Sequence, residues 1–175
     1  MRNPIRIVFL LLALVAANAA LAQAIVYTVE GYGIKAGANS YQGGVGVTPP
    51  PGASGAAGVA PSKANLYDSV LTIPMGDPAV NFSKSAAKGE HLRSVLVEFP
   101  QKGGNPSGPA PFAIRLTEVS VMSVMMSKAG DDRAGIAEVR LRASKIEWFS
   151  AQQDRTGKLV PGTKAGFDTK TMSAF

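Results

Sequence analysis

The side chains that most often carry enzyme chemistry are scarce in this sequence. His91 is the only histidine among the 175 residues, and there is no cysteine. Cysteine nucleophiles, disulfides and thiolate metal sites are therefore excluded, and one histidine is too few for the usual zinc sites. A Ser-His-Asp triad would have to use His91, and the sequence has no G-x-S-x-G nucleophile elbow. We expect a structural His91, no catalytic residue, no metal and no cofactor, so that the protein is not an enzyme.

Two motifs resemble ligand-binding sequences but lack the residues that binding needs. Asp131 and Asp132 are adjacent carboxylates, but Arg133 follows them, and calcium requires six or more oxygen ligands. We interpret the three residues as the polar tip of a hairpin. Gly103 and Gly104 precede neither a helix nor a Lys-Ser/Thr pair, so they do not form a phosphate-binding loop.

Two further groups of side chains could form surfaces. Glu138, Arg140 and Arg142 occur at every second position, which places them on one side of a strand. Such a row is either a solvated face or a contact surface between subunits. The second group consists of Met122, Met125 and Met126. Methionine adapts to irregular surroundings, so this group either fills the core or forms adaptable contacts.

The segments that position these residues are mainly strands. Alternating apolar residues predict strands at 24–30, 66–73, 94–99, 112–121, 139–148 and 162–169, and a weaker one at 40–47. Residues 48–62 are almost wholly Pro, Gly, Ala and Ser, which cannot bury enough apolar surface to offset the entropy of ordering. We therefore expect a flexible Gly/Pro/Ala loop at about 43–62.

One short helix is predicted after Asp77, which is suited to the N-cap, and Pro78, which suits the first turn. Gly89 is a typical residue for ending a helix. We expect the apolar side of this helix to dock on the sheet. The residues predicted to form the core are Val80, Phe82, Trp148 and Phe167.

Two long strands change the side on which their apolar residues lie. Ile114 and Leu116 share one parity and Val119 has the other, and a similar change separates Val139 from Ile146. A strand changes sides only through an extra residue or a bend. We predict a paired bulge where the sheet curls, and thus an all-β domain: a compact β-barrel with one short flanking α-helix.

The N-terminus has the pattern of a secretory signal peptide. Arg2 and Arg6 precede an uncharged apolar run, and Ala20-Leu21-Ala22 offers a cleavage site before Gln23. We predict a signal peptide at 1–22, a single domain at 23–175, and a protein exported to the periplasm or beyond; an uncleaved membrane anchor is the alternative. Removing the two arginines lowers the net charge from +6 to +4. The scattered basic residues do not indicate nucleic-acid binding, and no stable membrane insertion is expected after cleavage.

Several segments together resemble Hcp (haemolysin-coregulated protein), the tube protein of the bacterial type VI secretion system. The matching segments are Leu116-Thr117-Glu118-Val119, Gly130-Asp131-Asp132-Arg133, Ser144-Lys145-Ile146-Glu147-Trp148, Ala165-Gly166-Phe167-Asp168 and the helix with its exit, Asp77 to Leu92. Phe167 stands where the family usually has Trp. The Gly-rich loop also occurs at the family's position, and the resemblance spans roughly 24–170. Typical members have no signal peptide, so the predicted leader is a departure.

The resemblance implies a β-barrel of which six copies form a ring. Rings stack into a tube that a sheath propels, with a spike protein at the tip and small effector proteins in the lumen. On this hypothesis the candidate subunit-interface or lumen residues are Glu138, Arg140, Arg142, Asp131, Asp132 and Arg133. The alternative is a periplasmic or extracellular binding or effector module that keeps the barrel without forming a tube.

Overall fold

The structure is a computed structural model, and it describes residues 25–47, 64–101, 110–128, 130 and 134–175. The predicted signal peptide at 1–22 lies outside the described residues. The same holds for residues 48–63 and for Asp131, Asp132 and Arg133 of the predicted hairpin tip.

Eleven strands and one helix make up the described part of the chain. In chain order they are β1 (Ile25–Val29), β2 (Ile34–Ala38), β3 (Ser40–Gln42), β4 (Val45–Val47), β5 (Ala64–Leu66), β6 (Ser69–Pro74), α1 (Asp77–Lys88), β7 (His91–Phe99), β8 (Phe112–Ser127), β9 (Ile136–Gln153), β10 (Leu159–Asp168) and β11 (Ser173–Ala174). The prediction of an all-β domain with one short helix is confirmed.

The antiparallel pairings run in a circuit. Strand β1 pairs with β2 on one edge and with β7 on the other, and β7, β8 and β9 follow in order. Strand β9 then pairs with β6, and β6 pairs with β3. Only Asn39 separates β3 from β2, and its backbone N–H bonds the carbonyl of Thr72 at 2.7 Å. The strands thus return to β1 around an interior core.

The core lies on the inner side of this circuit because each strand places every second side chain there. Tyr27, Leu71, Val97 and Val139 are among those with no exposed surface. Helix α1 packs mainly on β8 and adds Ala79 and Phe82 to the same cluster. One continuous core therefore holds the strands and the helix together.

In three neighbouring strands the buried side chains switch to the opposite face of the strand at the same height in the sheet, and we call this position the corner. It runs through Arg93 of β7, Glu118 of β8 and Ser144 of β9, none of which has a partner in the regular ladder. Glu118 has a backbone φ of 51°, in the left-handed region that residues other than glycine rarely adopt. The corner is where the sheet bends around the core.

The corner differs from the predicted bulge in one respect. Thr117 pairs with Lys145 and Val119 pairs with Ala143, so the register is the same on both sides of it. Both strands therefore bend together and neither inserts a residue. The register shift between β8 and β9 lies farther along, after Val121, where β8 has an extra residue.

The helix corrects one predicted core residue. Phe82 is 2% exposed, whereas Val80 is 60% exposed, so the prediction that Val80 lies in the core is wrong. A helix rotates by about 100° per residue, so positions two apart are separated by about 200°. This puts Val80 on the side opposite Phe82. Gly76, and not Asp77, precedes the helix as its cap, and Gly89 ends it with φ 64° as predicted.

The weak strand predicted at 40–47 is two short strands, β3 and β4, separated by Gly43 and Gly44. Val45–Val47, which we placed in the loop at 43–62, pairs with Ala64–Leu66. The loop interpretation is corrected at these residues, because cross-strand hydrogen bonds stabilise a segment whose composition alone is unfavourable.

Candidate functional site

The first candidate surface is the β9 charged row, formed by Glu138, Arg140 and Arg142. All three side chains are exposed on the outer side of the sheet. Arg142 donates two hydrogen bonds to Asp68, from Nε to Oδ1 at 2.8 Å and from Nη2 to Oδ2 at 3.0 Å, and this raises the pKa of Arg142. Within the described residues, Glu138 and Arg140 have no ion pair within 4 Å. The row therefore offers one unpaired charge of each sign.

The second candidate surface is the hairpin rim, at the end of the β8–β9 hairpin. Its members are the exposed apolar residues Met75, Met125, Met126 and Ile136. Ile136 pairs with Pro74 and with Ser127, and the Met75 N–H bonds the Gly135 carbonyl at 2.9 Å, which brings the β6 end to the hairpin. Met125, with 67% of its surface exposed, is the most exposed residue of the rim.

The alternative in which the methionines fill the core is wrong. Met122 and Met126 are 45% and 47% exposed, and both lie beyond the last fully buried residue of β8. Exposed methionine side chains are unfavourable in water, and a contact that buries them recovers this free energy.

Two other predicted core residues contact the core: Phe167 is 4% exposed, and Trp148 is half-buried against the core. His91 accepts or donates one hydrogen bond through Nδ1, 3.0 Å from the Ser120 hydroxyl.

The third surface is a concave depression of about 620 Å³ on the outer side of the sheet, beside the corner. Strand pairing aligns outward residues from five strands in two rows. One row is Thr28, Leu96, Arg115, Glu147 and Gly166, and the next is Glu30, Ser94, Thr117, Lys145 and Asp168. Charged side chains of both signs thus meet in one shallow cavity.

Glu147 is the buried acid of the depression. It is 6% exposed and accepts ion pairs from Lys164 at 2.9 Å and Lys145 at 3.4 Å. Burial by itself raises the pKa of Glu147, but the Lys164 hydrogen bond and both lysine charges outweigh it and hold the pKa below its ordinary value. Glu147 is therefore ionised and doubly paired at neutral pH.

Glu30 is the second acid of the depression and is also fully engaged. Its carboxylate accepts a hydrogen bond from the Ser94 hydroxyl at 2.7 Å and an ion pair from Arg93 at 3.3 Å. The Ser94 bond, with the nearby arginines, lowers the pKa of Glu30. Asp168 points elsewhere, because its Oδ1 accepts the backbone N–H of Lys170 at 2.8 Å and of Thr171 at 3.3 Å.

Arg115 is the one cation lining the depression that has no ion pair within 4 Å to a described residue. Its guanidinium lies over the ring of Phe149, 5.2 Å from the centroid. Lys164 lies 5.4 Å from the same ring, and Lys145 lies 4.5 Å from the ring of Phe175. Stacking on an aromatic face leaves the N–H groups of an arginine free to donate.

The described residues contain no cluster of three or more His, Asp or Glu side chains that could hold a metal ion. No helix in the described part of the chain is long and apolar enough to cross a membrane.

Sequence reasoning did not find the depression. Its residues come from separate strands, and only the register of β1, β7, β8 and β9 brings Glu30, Arg115 and Glu147 together. One signal was present: Arg115, Thr117 and Lys145 alternate with buried residues, so they belong to an outward face.

The fold matches those of solved type VI secretion proteins. A structure described as a type six secretion system protein aligns with a TM-score of 0.74 and 18% identity, over 88% of this chain and 100% of that chain. Hcp1 from Salmonella typhimurium aligns at 0.63 and 17% over 88% and 100%. The secreted protein Hcp3 from Pseudomonas aeruginosa aligns at 0.51 and 13% over 79% and 78%.

No protein-family model and no curated protein matches the sequence. At identities of 13–18%, the structural likeness establishes the fold. The chain has the fold of Hcp proteins, and the resemblance found in the sequence is confirmed at that level.

Proposed function

We propose that this Hcp-fold chain is an exported structural protein that self-associates into rings or tubes and acts in connection with type VI secretion, without being an enzyme. The observation that carries the proposal is the alignment over 88% of this chain and the whole of a type six secretion system protein. A match that covers most of this chain and all of that chain supports a related role for the whole domain.

The hairpin rim supports self-association. Met75, Met125, Met126 and Ile136 are between 38% and 67% exposed at one end of the sheet. Contact between copies removes such apolar surface from water, which stabilises association by about 25 cal/mol for each Å² buried. The β9 charged row beside it carries unpaired Glu138 and Arg140, which can fix the orientation of a neighbouring copy.

The test is the oligomeric state of the chain from Gln23 to Phe175, measured by light scattering and electron microscopy. We expect rings at high protein concentration. Met125→Glu should raise the dissociation constant by about tenfold or more, because it places a charge in an apolar contact. Val47→Glu is the matched control: Val47 is 56% exposed and lies in β4, which forms a separate two-stranded sheet with β5.

A strictly monomeric chain at high concentration would overturn the assembly proposal. An equal effect of Met125→Glu and Val47→Glu would show that the rim is not the contact surface. The monomeric outcome favours the second candidate, a periplasmic or extracellular binding or effector module. The depression is the observation that favours this candidate, because it gives the domain a polar cavity of about 620 Å³ that assembly does not require.

Export has its own test. Sequencing of the N-terminus of protein recovered from the periplasm or medium should begin at Gln23. An N-terminus at Met1 in the cytoplasmic fraction would contradict cleavage and favour assembly before any export. Spike and effector partners belong to the same proposal, and co-purification with the native chain tests them.

A further inference from the structure

Arg115 lines the depression without an ion pair within 4 Å to any described residue, whereas both acids that line it already have such partners. Glu147 is held by two lysines, and Glu30 is held by Ser94 and Arg93. Arg115 is paired directly with Glu147 across β8 and β9, and Glu30 belongs to the neighbouring row. Glu98 and Asp168 are also on this side of the sheet, and neither lines the depression.

Arg115 is exposed and has apolar neighbours on two strands. Its guanidinium lies 5.2 Å from the Phe149 centroid, and Leu96 stands opposite it across the β7–β8 pair. An arginine with one face on an aromatic ring keeps its N–H donors free at the ring's edge. Planar donors of this kind match the paired oxygens of a carboxylate or a phosphate.

We propose that the depression is a binding site for an oxyanion, a carboxylate or phosphate group held by Arg115 and neighboured by the Thr117 hydroxyl and the Lys145 ammonium. Lys145 and Thr117 are directly paired across β8 and β9, and both line the depression with Arg115. The lining carries three cations, Arg93, Arg115 and Lys145, against two acids, so it has a net positive charge. The site is independent of self-association.

The test is thermal unfolding of the chain from Gln23 to Phe175 in sodium phosphate, compared with sodium chloride at the same ionic strength. A ligand that binds only the folded state raises its stability by RT ln(1 + [L]/Kd). We expect a saturable rise in the unfolding temperature with phosphate but not with chloride. A blocked Glu-Glu dipeptide forms the second arm and distinguishes a carboxylate ligand from a phosphate.

Three variants locate the effect, each compared with its own unfolding temperature without ligand. Arg115→Gln should abolish the rise. Arg115→Lys should raise the dissociation constant of the ligand by about tenfold, because lysine keeps the charge but loses the paired donors. Arg140→Gln is the control, since Arg140 is exposed, does not line the depression and has no ion pair within the described residues. It should leave the rise intact.

The proposal fails if neither phosphate nor the dipeptide gives a saturable rise beyond that in chloride. It also fails if Arg115→Gln retains the full rise, or if Arg140→Gln loses it equally. A rise with the dipeptide alone assigns the site to acidic side chains, and a rise with phosphate alone assigns it to phosphate groups. Since each comparison is made on one variant with and without ligand, a loss of basal stability does not affect the result.

Discussion

At the scale of single residues, the hydroxyl of Tyr27 is the clearest local cost in the core. Tyr27 has no exposed surface, and its hydroxyl has no hydrogen-bond partner among the described residues. Burial raises the pKa of Tyr27 to about 12, so the side chain stays neutral. The ring itself packs on Phe82 with centroids 6.0 Å apart. The ring therefore stabilises the core, whereas the hydroxyl loses on folding the hydrogen bonds that it makes to water in the unfolded chain.

Tyr27→Phe should leave the free energy of unfolding unchanged or raise it by about 1 kcal/mol, because it removes an unsatisfied group and keeps the ring. Tyr41→Phe is the matched control, since the Tyr41 hydroxyl lies 2.9 Å from that of Ser69. This second change should lower stability by about 1 kcal/mol. Urea unfolding of the two variants beside the unsubstituted chain measures both, and a loss for Tyr27→Phe as large as for Tyr41→Phe would contradict the argument.

Glu147 gives a second residue-scale prediction, which concerns pH. Its pKa in the folded chain lies below the ordinary value of 4.5, so the folded state favours the charged carboxylate more than the unfolded state does. Stability from this group is therefore present above the unfolded pKa and is lost as the pH falls through the lower folded pKa. Stability should decline on acidification below about pH 4.5.

Glu147→Gln should flatten that decline and lower stability at pH 7, because Lys145 and Lys164 lose their shared acid. Glu138→Gln serves as the control, since Glu138 is exposed and has no ion pair within the described residues. Unfolding free energies at pH 7 and near pH 3 measure the difference. The same pH dependence in Glu147→Gln and in the unsubstituted chain would show that other carboxylates account for the acid lability.

At the scale of elements, the corner determines how the strands surround the core. Glu118 adopts φ 51° in the middle of β8, and its carboxylate pairs with Lys170 beyond the end of β10. The hydrogen bond from Lys170 is the main reason that the pKa of Glu118 is lowered. The bend therefore costs backbone energy at one residue, and contacts on both sides of that residue hold it.

Glu118→Val should destabilise the fold by about 1–3 kcal/mol, because a β-branched residue is strongly disfavoured in the left-handed region. Glu138→Val makes the same substitution at an exposed position in the paired strand β9, where φ is not positive and valine is favoured. It should be neutral or mildly stabilising. Glu118→Gln removes the charge alone and separates the Lys170 ion pair from the backbone effect. Equal losses for the two valine variants would exclude strain at the corner.

The elements also show how far sequence reasoning extends. Alternation predicted most strands, and the change of parity at Leu116 and Val119 revealed the bend, because burial on one face leaves a period of two in the sequence. The side of the helix on which Val80 lies was misassigned, although helical geometry alone contradicts a shared face with Phe82. The depression could not be predicted, because nothing local specifies which strand lies opposite Arg115.

At the scale of the whole molecule, two kinds of surface are available for contact with other copies. The hairpin rim is apolar, whereas the β9 charged row carries Glu138, Arg140 and the Arg142–Asp68 pair. Apolar contacts respond weakly to salt, and exposed charges more than a Debye length of about 8 Å apart at 0.15 M are largely screened. The salt dependence of assembly therefore reports which surface supplies the free energy.

If the rim dominates, raising sodium chloride from roughly 0.05 to 0.5 M should change the dissociation constant of the assembled chain by less than about threefold. If the charged row dominates, the constant should rise by about tenfold or more, and Arg140→Gln should remove most of that dependence. Light scattering across a protein dilution series measures the constant at each salt concentration. We expect the first result, because Arg142 already pairs with Asp68 inside one copy and only Glu138 and Arg140 of the row remain available to a neighbour. The contrary result is a steep loss of assembly with salt in the unsubstituted chain that disappears in Arg140→Gln. It would show that the charged row, and not the rim, supplies the free energy of association.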